Sequence, residues 1–253
     1  FNIVTTLLLL PFGSYLASFA QHILPLKEEK VSDVLQFLKP LPSSNRSLGA
    51  SAISVQQVDE EINHMLNLAY KNVEDGFKQL LNYDKKKGEE ILNREDTVDT
   101  LNREIGDYIT NAVSMDLNND VSNALSLYYH QLPDIERISD YAIKIENYSK
   151  EQIQNKLNDE ERETIKSMFS MCMEMKDALH DIKKSELLRS QSEEVCENLR
   201  RRQMQRMKEK SISSEVSMLF SQLLNDFERI SGHALNIAQD YELISHSIQI
   251  PNE

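Results

Sequence analysis

Tryptophan is absent from this sequence, and glycine and proline number only 6 each in 253 residues. Alternating Val/Ile/Thr runs set between Gly or Asn-Gly turns, the mark of strands, are missing beyond residue 30. An all-α fold is what remains, carried by long stretches of Leu, Glu, Lys, Gln, Asn, Met and Ala. Basic charge is also scarce. The chain has 28 Lys and Arg against 41 Asp and Glu, a net charge of −13, which repels a nucleic-acid backbone and excludes it as the main partner. The one basic run, Arg200-Arg201-Arg202 followed by Arg206, Lys208 and Lys210, reads as a solvated helix face before a lipid or phosphate site. Two cysteines, Cys172 and Cys196, lack metal-type spacing and read as buried reduced thiols. No Gly-rich phosphate loop, G-x-S-x-G or H-E-x-x-H occurs, and His64, His130 and His180 stand isolated. The chain is not expected to be an enzyme.

What is present begins with an apolar run. Residues 1–25 hold no Lys, Arg, Asp or Glu and are long enough to cross a bilayer, which takes ~20 apolar residues. Phe1, in place of Met, reads as the start of a fragment or processed product, and no basic start marks a secretory signal. Pro11 and Gly13 divide the run, which reads as one broken membrane helix or a half-helix leading into an interfacial one. A buried core helix of a soluble protein is the alternative. Lys27, Glu28, Glu29 and Lys30 mark the exit to water, and Pro40, Pro42 and the small polar residues after them make 26–50 a linker.

From Ser51 the pattern is helical, with segments expected at roughly 52–83, 86–116, 119–148, 160–184, 186–209 and 212–246. The first places Val58, Ile62, Met65, Leu66, Ala69, Val73, Phe77 and Leu80 at three- and four-residue steps. Met168, Met171, Met173 and Met175 read as core filling. Residues 134–145, DIERISDYAIKI, and 226–237, DFERISGHALNI, share Asp, Glu-Arg-Ile-Ser, Ala and the last Ile at an offset of 92. EDTVDTL at 95–101 pairs more weakly with EEVCENL at 193–199, offset 98. The domain over 51–250 is therefore a duplicated three-helix bundle, with repeat one at 51–150 and repeat two at 155–248.

Glu95 and Asp99 lie four residues apart, as do Glu136 and Asp140, so each pair projects from one helix face a turn apart. Packed side by side, those helices gather four carboxylates, which repel one another unless a multivalent cation or water intervenes. Oxygen-only donors favour hard cations such as Mg, Mn or Fe over thiolate-loving metals. Repeat two offers Glu193, Glu197 and Glu228, but its fourth position is Gly232. Arg137 and Arg229 read as structural partners of Asp134 and Asp226 before phosphate ligands.

The frame D-x-E-R-I-S-x-x-A-x-x-I resembles the L-E-R-I-G-D-H-A-x-N-I-A signature of PhoU proteins, best in FERISGHALNIA at 227–238. The resemblance covers about 51–246 and implies a six-helix PhoU-like fold. It also implies metal motifs (Mg, Mn, Fe or Zn) at Glu95/Asp99 and Glu136/Asp140, and at Glu193/Glu197 with Glu228, Gly232 departing from the pattern. The opening FNIVTTLLLLPF resembles the F-N-x-x-T-x-L-L-x-L-P-F stretch closing the transport unit of bacterial sodium-dependent phosphate cotransporters. Members of that family can carry a PhoU-like domain directly after it. This implies a regulatory domain, residues 26–253 in the cytoplasm and the chain at the plasma membrane. A transporter core upstream of Phe1 would handle sodium and phosphate. A free-standing PhoU-type signalling adaptor, and a metal-free helical tether or dimeric coiled coil, are the competing readings. A homodimer is among the partners the sequence leaves open.

Overall fold

The computed structural model describes residues 34–39, 48–115, 117–150 and 153–248, and the described residues from Leu35 onward belong to one unit. The expected membrane segment at 1–25 lies outside the described residues. Among the described residues, no helix is long and apolar enough to cross a membrane.

Six α-helices follow one another: α1 Leu48–Leu81, α2 Lys85–Val113, α3 Asn119–Ser149, α4 Asp159–Asp177, α5 Ile182–Lys208 and α6 Ser214–Ile248. A 3-10 turn, Ile153–Asn155, joins the two triplets. The starts are set by side chains that satisfy orphan N–H groups. Asp84 accepts from the Lys86 N–H and Asn118 from the Val121 N–H, both at 2.8 Å. Asn158 and Glu161 form a reciprocal capping box, with bonds of 2.9 and 2.8 Å. Helix α5 closes through a left-handed residue, Lys210, at φ 54°.

Three helix boundaries differ from the sequence reading. Helix α1 starts at Leu48, inside the expected linker. Helix α4 stops at Asp177, and α5 starts at Ile182, earlier than expected. The turn between them has neither Gly nor Pro; it is set by Asp181, whose carboxylate accepts from the Lys184 N–H at 3.1 Å.

Helices α1 and α3 make the most extensive contact, and α2 lies against both. In the second triplet α5 packs on α6, while α4 touches α6, α5 and α1 more sparingly. The two triplets meet chiefly along α3 and α6. Tyr70, Phe77, Phe220 and Phe227 are the largest fully buried side chains. Burying each such aromatic side chain contributes about 1.5–3 kcal/mol. Both cysteines are free and buried, as the sequence suggests, but of the four methionines expected in the core only Met168 and Met175 are buried, Met171 and Met173 being half-buried. Burial pushes the Cys196 thiol up to about 12, so it stays protonated and inert as a nucleophile.

Candidate functional site

Ile91, Val98 and Leu101 turn one face of α2 into the core, which leaves Glu95 and Asp99 on the flank. On α3, buried Ile135, Ile138 and Ser139 likewise put Glu136 and Asp140 at the margin. Because α2 and α3 pack together, the four acids share one stretch of surface. Their mutual repulsion shows it. Burial, then the charges of Asp99, Asp140, Asp96 and Glu136, raise the Glu95 carboxyl from 4.5 to about 7. Asp99 is raised by desolvation and then by Asp140 and Asp96, against the pull of Arg103. Glu136 is raised by burial, Asp140 and Asp99, with Arg137 opposing. The ion pair from Arg137 Nη1 to Asp140 Oδ2, at 3.2 Å, supplies little compensation because Arg137 is more than half exposed. The donors suit a hard cation in chemistry and charge. Among the described residues, however, no three His, Cys, Asp or Glu side chains converge closely enough to hold a metal ion as they stand.

Repeat two is arranged in the opposite sense. Arg200 grips both oxygens of Glu228, each at 2.7 Å, and this pairing outweighs partial burial to hold that carboxyl low. Arg189 pairs with Glu193 at 2.7 Å, and Arg201 pairs with Glu197. Each of the three acids already has a guanidinium beside it. The basic run on α5 is therefore an ion-pair ladder rather than only a solvated face, since Arg202 reaches Glu160 and Arg206 reaches Glu161 on α4. Sequence reasoning missed the partners of Arg200, Arg202 and Arg206 because they lie 28 to 45 residues away.

The repeated serine has a structural role. Ser139 is buried and its hydroxyl accepts from Asn72 at 2.9 Å, while Arg94 on α2 donates to Asn72 at 2.7 Å. Ser231, also buried, accepts from Arg189 on α5 at 2.6 Å. In each triplet an arginine from the middle helix is thus tied to the Glu-Arg-Ile-Ser helix.

The arginines of that motif do not pair as expected. Arg137 meets Asp140 rather than Asp134, and Arg229 has no hydrogen bond or ion pair among the described residues. Asp134 instead accepts from His233 at 2.6 Å and from Asn236 at 3.2 Å, and Asp226 accepts from the Tyr148 hydroxyl at 2.6 Å. His130 is bound to Asp240 at 2.9 Å and Gln131 donates to the Ile237 carbonyl at 3.4 Å, so the α3–α6 seam carries polar links along its length. His64 belongs to another site. Its Nδ1 lies 2.9 Å from Glu61, a fully buried carboxylate on α1 that also accepts from the backbone N–H groups of Gln36, Phe37 and Leu38. Such a clamp joins residues 24 or so apart and leaves no local pattern to read.

Residues 62–148, repeat one, match the family model described as the PhoU domain. Solved structures share the fold, two of them PhoU proteins. PhoU from Pseudomonas aeruginosa superposes with a TM-score of 0.67 at 18% identity, over 79% of this chain and 99% of that one. The phosphate transport system regulatory protein PhoU from Streptococcus pneumoniae gives 0.66 at 16%, over the same shares. No curated protein matches the chain. The helices from α1 to α6 thus form a PhoU-like domain.

Proposed function

We propose that this PhoU-like domain is a regulatory module of phosphate transport that responds to a hard cation taken up by Glu95, Asp99, Glu136 and Asp140. The observation that carries this reading is the set of raised carboxyls where α2 meets α3. A divalent or iron-type ion (Mg, Mn, Fe or Zn) would supply the positive charge whose lack raises them, drawing the side chains inward and displacing the Glu95 proton. Glu193, Glu197 and Glu228 are not part of that site, because Arg189, Arg201 and Arg200 already neutralise them. The domain acts by binding, not by catalysis.

The wider setting belongs to the same proposal. FNIVTTLLLLPF at the start of the sequence supports an anchor in the plasma membrane, with residues 26–253 on the cytoplasmic face of a sodium/phosphate symporter. Two crystallised proteins of this fold are PhoU proteins, one titled a phosphate transport system regulator, which supports the link to phosphate.

Elemental analysis of the purified chain tests the site. Wild type is expected to carry bound divalent metal or iron, and a Glu136→Gln/Asp140→Asn double variant to lose it. Equal metal content in both would remove the cation from the mechanism. The reading frame upstream of Phe1 separates the symporter setting, which requires many membrane spans there, from a free-standing adaptor.

A further inference from the structure

Motif position 232 has a second consequence. In repeat one Arg137 is paired with Asp140 on the next turn of α3. The corresponding residues in repeat two are Arg229 and Gly232, so the acid that would pair Arg229 is gone. Gly232 lines an open pocket of about 520 Å³ with Arg189, Arg229, His233, Asn225 and Glu228. The carboxylates at its edge are already committed: Glu228 to Arg200, Glu193 to Arg189 and Asp134 to His233. Arg189 is held rigidly by the Glu228 carbonyl at 2.7 Å and the Ser231 hydroxyl at 2.6 Å. Asn225 gives its carbonyl oxygen to Arg200, which leaves its amide N–H₂ free to donate. What the pocket offers beyond its internal pairs is the Arg229 guanidinium, which makes no hydrogen bond or ion pair among the described residues, and an amide donor beside a motif position that holds Asp140 in repeat one.

From this geometry we infer that the Arg189–Arg229–Asn225 pocket of repeat two binds a compact oxyanion of the phosphoryl class, either free or carried on a small molecule. A planar guanidinium fork without a hydrogen-bonded protein partner matches two oxygens of such a group, while Arg189, held by the Glu228 carbonyl and Ser231 and offset by Glu193, fixes the wall of the pocket rather than adding free charge. The site shares no side chain with the acidic cluster and stands whether or not that cluster takes a cation.

Isothermal titration of the full chain in the presence of a chelator tests it, with inorganic phosphate and adenosine monophosphate as separate probes. The chelator keeps the result independent of the acidic cluster. Wild type is expected to bind phosphate. Binding of the monoester alone would keep the same chemistry but place the phosphoryl group on a larger ligand. Arg229→Gln should weaken whichever ligand binds by about tenfold or more, the factor one lost 1.4 kcal/mol contact represents, with an unchanged melting temperature. Gly232→Asp, which rebuilds the pairing of repeat one, should abolish binding. Its Cβ would sit 3.8 Å from Arg189, an ordinary contact, so the variant is expected to fold. Failure of wild type to bind either probe overturns the inference. So does equal affinity in Arg229→Gln, or an equal loss in the control Arg201→Gln outside the pocket.

Discussion

Burial and the charges of Asp99, Asp140, Asp96 and Glu136 keep the Glu95 carboxyl protonated to about 7, whereas in an unfolded chain it ionises near 4.5. Between those values the folded state holds a proton that the unfolded chain has released, so stability falls as pH rises through that window. The lowered carboxyl of Glu61 contributes with the opposite sign. Burial would raise it, but His64 and the backbone N–H groups of Phe37, Leu38 and Gln36 outweigh burial, so its contribution is complete above 4.5 and lost only in stronger acid. The decline from pH 4.5 to 7 therefore belongs to raised carboxyls, which include Asp99 and Glu136 as well as Glu95, while raised His130 adds a decline only above 6.5. Glu95→Gln isolates one of them. Melting curves in chelator should show the variant losing less stability than wild type between pH 5 and 7.5, and parallel curves would mean that Glu95 ionises normally.

At the scale of helices, α1 and α3 pack tightly at Gly76, where an added Cβ would lie 2.9 Å from the Ala142 carbonyl oxygen. Backbone cannot rotate aside as a side chain can, so Gly76→Ala must push the two helices apart. A cost of about 1–3 kcal/mol is expected, read as a lower midpoint in urea unfolding. An unchanged midpoint would show that α1 shifts freely on α3. Neither Gly76 nor the α4–α5 turn is marked in the sequence. A glycine inside an amphipathic stretch has no local signature of a close crossing, and the turn lacks Gly and Pro, so the helical period reads through Ala178 to Asp181. The six helices and the duplication were legible because periodic apolar positions and the Glu-Arg-Ile-Ser frame are local patterns. The grouping of Glu95, Asp99, Glu136 and Asp140 was legible for a related reason, since turn spacing fixes which face an acid takes. The pairing of Arg200 with Glu228 was not, because it depends on how far α5 slides along α6, and charge composition is blind to that register.

Across the whole molecule, the acidic cluster and the basic pocket sit on opposite sides of one seam. Helix α3 carries Glu136 and Asp140 and also Asp134, while α6 carries Arg229 and Gly232 and also His233. Asp134 joins the two helices through His233 at 2.6 Å and Asn236 at 3.2 Å, and His233 and Asn236 both line the pocket. If a cation that draws Glu136 and Asp140 toward α2 also turns or shifts α3, the Asp134 contacts are the route by which that motion would reach the pocket lining. Energetic coupling of this kind is reciprocal, so phosphate should change cation affinity by the same factor that the cation changes phosphate affinity. Titrating phosphate with and without a saturating divalent cation should show a difference of about fivefold or more. In Asp134→Asn the His233 link loses its charge, so the difference should shrink while each ligand still binds alone. Equal phosphate affinities with and without the cation in wild type would mean that the two repeats act as independent sites, and that α3 and α6 hold together without passing information.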